Sequence, residues 1–248
     1  RSTLFPYTTL FRSERCGASW LEPVRSVLDP ADRVDWGLLE ALGAELDALL
    51  AAHPVGADLQ AGDERSRRLL AIRRGMAECG LVDTTRQPPL FQVFAQFVCG
   101  YRDVDLRDII GLGHGRLIAR HACPELRERW IPRLMAGELA GIAITEPHGG
   151  SRPAETRTCA VPGPRGTWLV SGRKMWISRL AEAAMFVVFF RDPTDRLAAA
   201  AVDATSPGLH RRALPPTGLA GWSWGILDLD SVLVRDRKST RLNSSHER

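Results

Sequence analysis

Apolar residues along this chain follow two different periods. Up to about residue 136 they recur every three or four positions, and from 139 onward they fall in short runs with a period near two. In the first stretch, residues 34–52 place Trp36, Leu39, Leu42, Leu46, Leu49 and Leu50 at helical spacing behind Asp35, a good N-cap. Residues 63–79 repeat the pattern and stop at Gly80. Residues 90–100 and 105–122 also read as helices with apolar stripes. Residues 124–135 form a shorter helix entered through Pro124, which Pro132 is expected to end or kink. The second stretch predicts strands at 140–145, 156–161, 167–170, 174–177, 185–190, 197–202, 209–213 and 227–234. Turn residues separate them: Pro162-Gly163-Pro164-Arg165-Gly166, Asp192-Pro193 and Ser206-Pro207-Gly208. Helices first and strands second predict an α+β chain. Its N-terminal all-helical domain covers 14–137, and a mostly antiparallel β domain covers 138–235. No internal repeat is present.

The two ends fit neither pattern. Residues 3–13, TLFPYTTLFRS, and 236–246, DRKSTRLNSSH, resemble translated sequencing-library adapters. Segments 1–13 and 236–248 are therefore set apart as artefacts, with ordinary disordered tails as the alternative. The native part, about 14–235, is then expected to be truncated at both ends.

Setting the ends apart changes the charge. The formal net charge is +4, but Arg1 and Arg12 contribute two of these charges and the last thirteen residues a further net two. The remainder is neutral. Its arginines are interleaved with acids, as in Glu125-Leu126-Arg127-Glu128-Arg129, which reads as a solvated helix face. No basic patch marks a nucleic-acid surface.

The hydrophobic content, 44%, is enough for a globular core. The longest apolar run, 183–190, is too short to span a bilayer. No charged-then-apolar leader remains once the first residues are set apart. Five widely spaced cysteines without a C-x-x-C pair fit reduced thiols and a cytoplasmic location. His114, His121 and Cys123 lack a second ligand pair, so no metal site is expected. Gly111-Leu112-Gly113-His114-Gly115 lacks the last glycine of a dinucleotide loop and follows no strand, so it reads as helix-breaking or close-packing glycine.

Two short segments carry the candidate chemistry. Ile142-Ala143-Ile144-Thr145-Glu146-Pro147-His148-Gly149-Gly150-Ser151 is a strand running into a glycine-rich end. Gly172-Arg173-Lys174-Met175-Trp176-Ile177-Ser178 follows about 25 residues later. Together with the helix and turn Pro124 to Glu138 (PELRERWIPRLMAGE), these segments resemble the acyl-CoA dehydrogenase family. The motifs correspond to its L-x-x-G-E turn, its T-E-P…G-S segment and its G-x-K-x-W-I-T/S segment. The resemblance runs from about Gln92 to Arg235; residues 14–90 match only in helical character.

The resemblance implies FAD, held by Ile142, Ile144, Thr145, Gly150, Ser151, Trp176 and Ser178. Thr145 would face the ring edge, and the Ile142 and Ile144 backbone the pyrimidine end. Gly150 would remove bulk, and Ser151 would donate to the pyrophosphate or to the substrate's pantetheine arm. Trp176 would stack beside the isoalloxazine. Ser178 stands where threonine is commoner. Taken alone, these same residues also read as a strand-to-turn junction, a flexible turn and a half-buried strand aromatic.

The implied reaction is α,β-dehydrogenation of an acyl-CoA or acyl-carrier-protein thioester. Electron-transfer flavoprotein is a possible electron acceptor, and a homo-oligomer is the expected assembly. The family's base is a glutamate of a C-terminal helical bundle beyond this chain, so no catalytic residue is assigned here. An inactive fragment, and a flavin monooxygenase or oxidase of the same fold, are the alternatives.

Three features stand apart. Lys174 is the only lysine between residues 14 and 235, so an ammonium is either required there or present by chance. Arg152 and Pro153 follow the G-S pair where the family has an acid. Trp222 and Trp224 either narrow an acyl channel or pack beneath the last strand.

Overall fold

A computed structural model describes residues 21–235 except 57, 58, 60, 61, 151 and 220. The adapter-like segments 1–13 and 236–248 lie outside the described residues. Six α-helices come first among them: α1 Glu22–Leu28, α2 Trp36–Ala52, α3 Asp63–Glu78, α4 Pro89–Arg102, α5 Arg116–His121 and α6 Pro124–Met135. Seven strands follow: β1 Leu139–Ala143, β2 Cys159–Pro162, β3 Thr167–Ser178, β4 Ala183–Arg191, β5 Leu197–Asp203, β6 Leu209–Ala213 and β7 Trp224–Arg235.

Local signals account for the start of α2 and the end of α6. The Asp35 carboxylate accepts from the Leu38 N–H at 2.9 Å, the expected N-cap of α2. At the end of α6, Gly137 takes φ 103°. The Glu138 N–H donates to the Arg133 carbonyl and the Gly137 N–H to that of Leu134, a Schellman stop at the turn from helices to strands. Pro132 does not end α6, which continues to Met135. Trp130 and Leu134, on either side of it, are buried and hold the last turn.

Residues 105–122 are not one helix. They form two short 3₁₀ turns, Val104–Asp108 and Gly113–Gly115, and then α5. Gly111 and Gly113 adopt φ 69° and 51°, outside the helical region, and break the run. Helix α1 was not visible in the apolar pattern, since none of its residues is buried.

The strands form one seven-stranded sheet in the order β1-β4-β2-β3-β7-β6, with β5 on β4. Pairing is mostly antiparallel, as expected. The exceptions are β1 with β4 and a single parallel contact of β2 with β4. Residues 167–170 and 174–177 are parts of one strand, β3, whose register against β7 shifts twice.

Strand β4 explains the longest apolar run. Met185, Val187 and Phe189 face a core built with Ile118, Leu126, Trp130 and Leu134 of α5 and α6. Phe186, Val188 and Phe190 face the opposite core, with Val170, Leu227, Leu229 and Val232 of β3 and β7. A strand buried on both faces must be apolar throughout. A third core joins α2, α3 and α4 and takes in Leu139 and Trp222.

Buried polar bonds tie the helices together and, at Glu138 and Trp222, tie them to the β part. Arg73 of α3 is 1% exposed. Its guanidinium donates to the carbonyls of Asp108, Gly111, Leu134, Gly137 and Glu138 at 2.7–3.3 Å. The Trp222 indole N–H donates to the Asp105 carbonyl at 3.0 Å.

Candidate functional site

The two singled-out segments meet at the end of β1. Beyond Ala143 the chain passes through Ile144 and Thr145 to Glu146. A turn there is closed by the Gly149 N–H donating to the Glu146 carbonyl. The second segment lies alongside, because the Met175 N–H donates to the Thr145 carbonyl at 2.8 Å. Thr145 and Trp176 thus belong to adjoining backbone.

A bulge sets the direction of Trp176. Lys174 and Ile177 are both buried, 0% and 1% exposed. They are three residues apart, which a two-residue strand period cannot satisfy. The β3–β7 register shifts between them. Trp176 takes φ 57°, rare for a bulky side chain, and is 55% exposed. A half-exposed tryptophan on a strained bulge is an apolar plate presented outward.

Behind this edge lies a dry ion pair. The Lys174 ammonium has three donors and three acceptors: Glu146 Oε1 at 2.7 Å, Thr156 Oγ1 at 2.9 Å and the Ile144 carbonyl at 3.2 Å. The Glu146 carboxylate also accepts from the Thr156 hydroxyl, the Thr158 hydroxyl at 2.6 Å, the Arg157 N–H at 2.7 Å and the Thr158 N–H at 2.9 Å. Burial opposes ionisation of Glu146, but the bonds from Lys174, Thr156, Thr158 and the Arg157 backbone outweigh it, and the carboxyl is held well below the usual carboxylate range. Burial lowers the Lys174 pKa, and Glu146 opposes that shift. The lone lysine is therefore matched to its surroundings. Three acceptors converge on one point, which an ammonium meets and a planar guanidinium does not.

The other candidate residues gather around this edge. Ile142 and Ile144 are partly buried and pack on the α5–α6 side of the sheet, on one face as expected. A Cβ on Gly150 would stand 3.1 Å from the Thr145 methyl, so the glycine lies directly against Thr145. Ser178 closes β3, and its hydroxyl lies 3.5 Å from the Arg179 guanidinium, too far for a strong bond. Ser151 lies outside the described residues. Arg152 is exposed and pairs with Glu155 at 3.0 Å. Trp222 does not line a channel; it is 1% exposed and belongs to the helical core. Trp224 is partly buried and donates to the Leu219 carbonyl.

These residues fit a flavin edge. Among the described residues no hydrogen bond occupies the Thr145 hydroxyl, Gly150 leaves room beside it, and Trp176 supplies an apolar face. Among the described residues no three His, Cys, Asp or Glu side chains gather as metal ligands.

Residues 141–232 match the family described as acyl-CoA dehydrogenase, middle domain. The very long-chain specific acyl-CoA dehydrogenase, mitochondrial, of Macaca fascicularis is 42% identical over 78 residues, 31% of this chain and 12% of that protein. Residues 141–232 thus carry a match to the acyl-CoA dehydrogenase middle domain. Its fold is that of a glutaryl-CoA dehydrogenase from Mycobacterium smegmatis, with a TM-score of 0.71 at 20% identity over 91% of this chain and 59% of that one. The structure of a glutaryl-CoA dehydrogenase from the same organism in complex with FADH2 gives 0.68 at 20% identity, over 86% and 57%. The matched stretches thus span under two thirds of each of these acyl-CoA dehydrogenases.

Sequence reasoning missed the coupling in this site. Glu146, Thr156 and Thr158 lie 28, 18 and 16 residues before Lys174, in separate elements. The one available signal was the solitary lysine itself.

Proposed function

We propose that this chain supplies the flavin-binding face of an FAD-dependent acyl-thioester dehydrogenase, which introduces an α,β double bond. The observation that carries the reading is the junction of Thr145 and Trp176 through the Met175–Thr145 backbone bond. It sets a hydroxyl, an outward aromatic plate and a bare glycine along one edge. FAD, when bound, supplies the acceptor for the hydride leaving the substrate's β-carbon. Thr145 donates to the ring edge, and Ile142 and Ile144 hold the strand beneath it. Trp176 and Ser178 line the ring's side. Gly150 gives the pyrophosphate a close approach, and Ser151 donates to it or to the pantetheine arm.

The helical part (14–137) and the β part (138–235) act as a platform, and no side chain among the described residues is assigned as its general base. Glu146 is 5% exposed, ionised and fully hydrogen-bonded, so it cannot take a substrate proton. Asp228 pairs with Arg173. The reading takes acyl-CoA or an acyl-carrier-protein thioester as substrate and electron-transfer flavoprotein as electron acceptor. The working state is a homo-oligomer. The acyl-CoA names of the relatives support the first of these. A reducing compartment such as the cytoplasm fits the free thiols Cys79, Cys99, Cys123 and Cys159.

The test is anaerobic. The chain is mixed with excess FAD and then with short- and long-chain acyl-CoA while flavin absorbance is followed. No substrate-dependent bleaching is expected, because a missing general base costs about 10²–10⁴ in rate. Bleaching at an enzyme's ordinary rate would place the base within this chain.

A further inference from the structure

We propose that Lys174 and Glu146 are positioning residues for the flavin edge: their buried pair fixes the Ile144–Thr145 backbone against the Met175–Trp176 bulge, and so fixes where the Thr145 hydroxyl and the Trp176 ring stand. The inference rests on the flavin reading above and adds the part of the site that no flavin atom need touch.

The geometry supports it in three ways. Lys174 belongs to β3, yet its ammonium binds the Ile144 carbonyl and the Glu146 carboxylate, the residues on either side of Thr145. The same strand donates the Met175 N–H to the Thr145 carbonyl between them. Thr145 is thus bracketed by three consecutive contacts from one two-residue stretch. Trp176 follows immediately, and its left-handed φ of 57° requires something to hold the bulge. Burying Lys174 is what forces that bulge, since residue 177 is also buried.

The pair's own support is rigid. Thr156, Arg157 and Thr158 lead into β2 and wrap the Glu146 carboxylate with two hydroxyls and two backbone N–H groups. Both charges are nearly solvent-free, at 0% and 4% side-chain exposure. A buried pair of this kind is costly to desolvate, and well-packed apolar residues often replace it without loss of stability. It is therefore a poor stabiliser and a good fixer of geometry. That difference is measurable.

The experiment compares the whole chain with Lys174→Met, Lys174→Arg, Glu146→Gln and the double variant Glu146→Met with Lys174→Met. Three readouts are taken: thermal midpoint, near-ultraviolet circular dichroism without cofactor, and FAD titration. Each comparison is repeated in a Trp176→Phe background. Lys174→Met is expected to weaken FAD binding about tenfold or more, the loss of one or two hydrogen bonds' worth of alignment. It should also change the tryptophan dichroism, and that change should vanish in the Trp176→Phe background. Lys174→Arg should not rescue either signal. The double variant should regain most of the thermal midpoint and none of the FAD affinity.

A double variant with wild-type affinity and wild-type dichroism would overturn the proposal, since the pair would then be structural only. If a single variant fails to fold, the double variant and Glu146→Gln give the same comparison. If the wild-type chain itself binds no FAD, the flavin reading fails. The dichroism in the Trp176 comparison then decides the positioning role: a Trp176-dependent change supports it and an unchanged spectrum overturns it.

Discussion

Replacing Arg73 with methionine should be among the most damaging single changes in this chain. Methionine fills much of the same volume and removes every donor. Five carbonyls lose a charged partner: those of Asp108, Gly111, Leu134, Gly137 and Glu138. The one Nε–H is shared between Gly137 and Glu138, so four donors at about 1.5 kcal/mol each give a gross contribution of about 6 kcal/mol. Against this stands the cost of burying the charge. Burial lowers the Arg73 pKa from 12.5 to about 10, with the Arg179 charge adding to that and Asp108 opposing it. That difference corresponds to about 3 kcal/mol. The net loss on substitution is then about 3 kcal/mol, enough to lower the thermal midpoint by roughly 10 °C in a chain of this size. The assay is urea and thermal unfolding of Arg73→Met beside Arg73→Lys. Lysine can serve up to three of the carbonyls and should lose less. A loss below about 1 kcal/mol in Arg73→Met would refute the reasoning, because solvent or neighbouring donors would then be satisfying those carbonyls.

Further expectations concern other parts of the chain. His114 is held neutral, with its pKa lowered to about 4 by burial and by the Arg179 charge, against Asp108 and a bond to Ala140. Its unfolded value is higher, so the folded state binds fewer protons. The stability it contributes is whole above about pH 6.5 and is lost as pH falls toward 4, by about 3 kcal/mol in all. Unfolding curves of His114→Gln across that window should show the missing slope; an unchanged slope would reject the assignment. Gly221→Ala would drive a Cβ into the Asp105 carboxylate, which also holds Arg65. It should cost about 2 kcal/mol or more in thermal unfolding, and a neutral result would mean that the loop yields easily. Gly150→Ala meets only the Thr145 side chain, at 3.1 Å. Stability should change by less than about 0.5 kcal/mol while FAD affinity falls, and equal FAD affinity would remove Gly150 from the site.

What the sequence revealed follows from the range over which each signal acts. The strand spacing, the Asp35 cap and the Gly137 stop depend on neighbours a few residues away, and all three are visible in the chain itself. The segment 105–122 misled because its apolar spacing remains helical while Gly111 and Gly113 leave the helical region. The carbonyls of Asp108 and Gly111 turn instead to Arg73, 35 and 38 residues earlier. The parallel pairing of β1 with β4 crosses two intervening strands and leaves no local mark. Trp222 shows the same limit. Its place in the helical core is set by Asp105, 117 residues away. Of the candidate site, the participating residues were legible and the geometry was not. Lys174 was noticed alone, and only the fold brings it to 2.7 Å from Glu146. Ser151, the proposed donor to the pyrophosphate or to the pantetheine arm, lies outside the described residues.

The central claim is that Thr145 and Trp176 form one flavin edge. The most direct test is an FAD titration of the chain followed through tryptophan emission. Trp176 is half exposed, and a flavin stacked beside it should quench it. The expected result is saturable quenching whose amplitude falls sharply in Trp176→Phe, with a weaker binding curve in Thr145→Ala by about 1 kcal/mol. Absence of saturable quenching, or the same amplitude in Trp176→Phe and the same affinity in Thr145→Ala, would contradict the account.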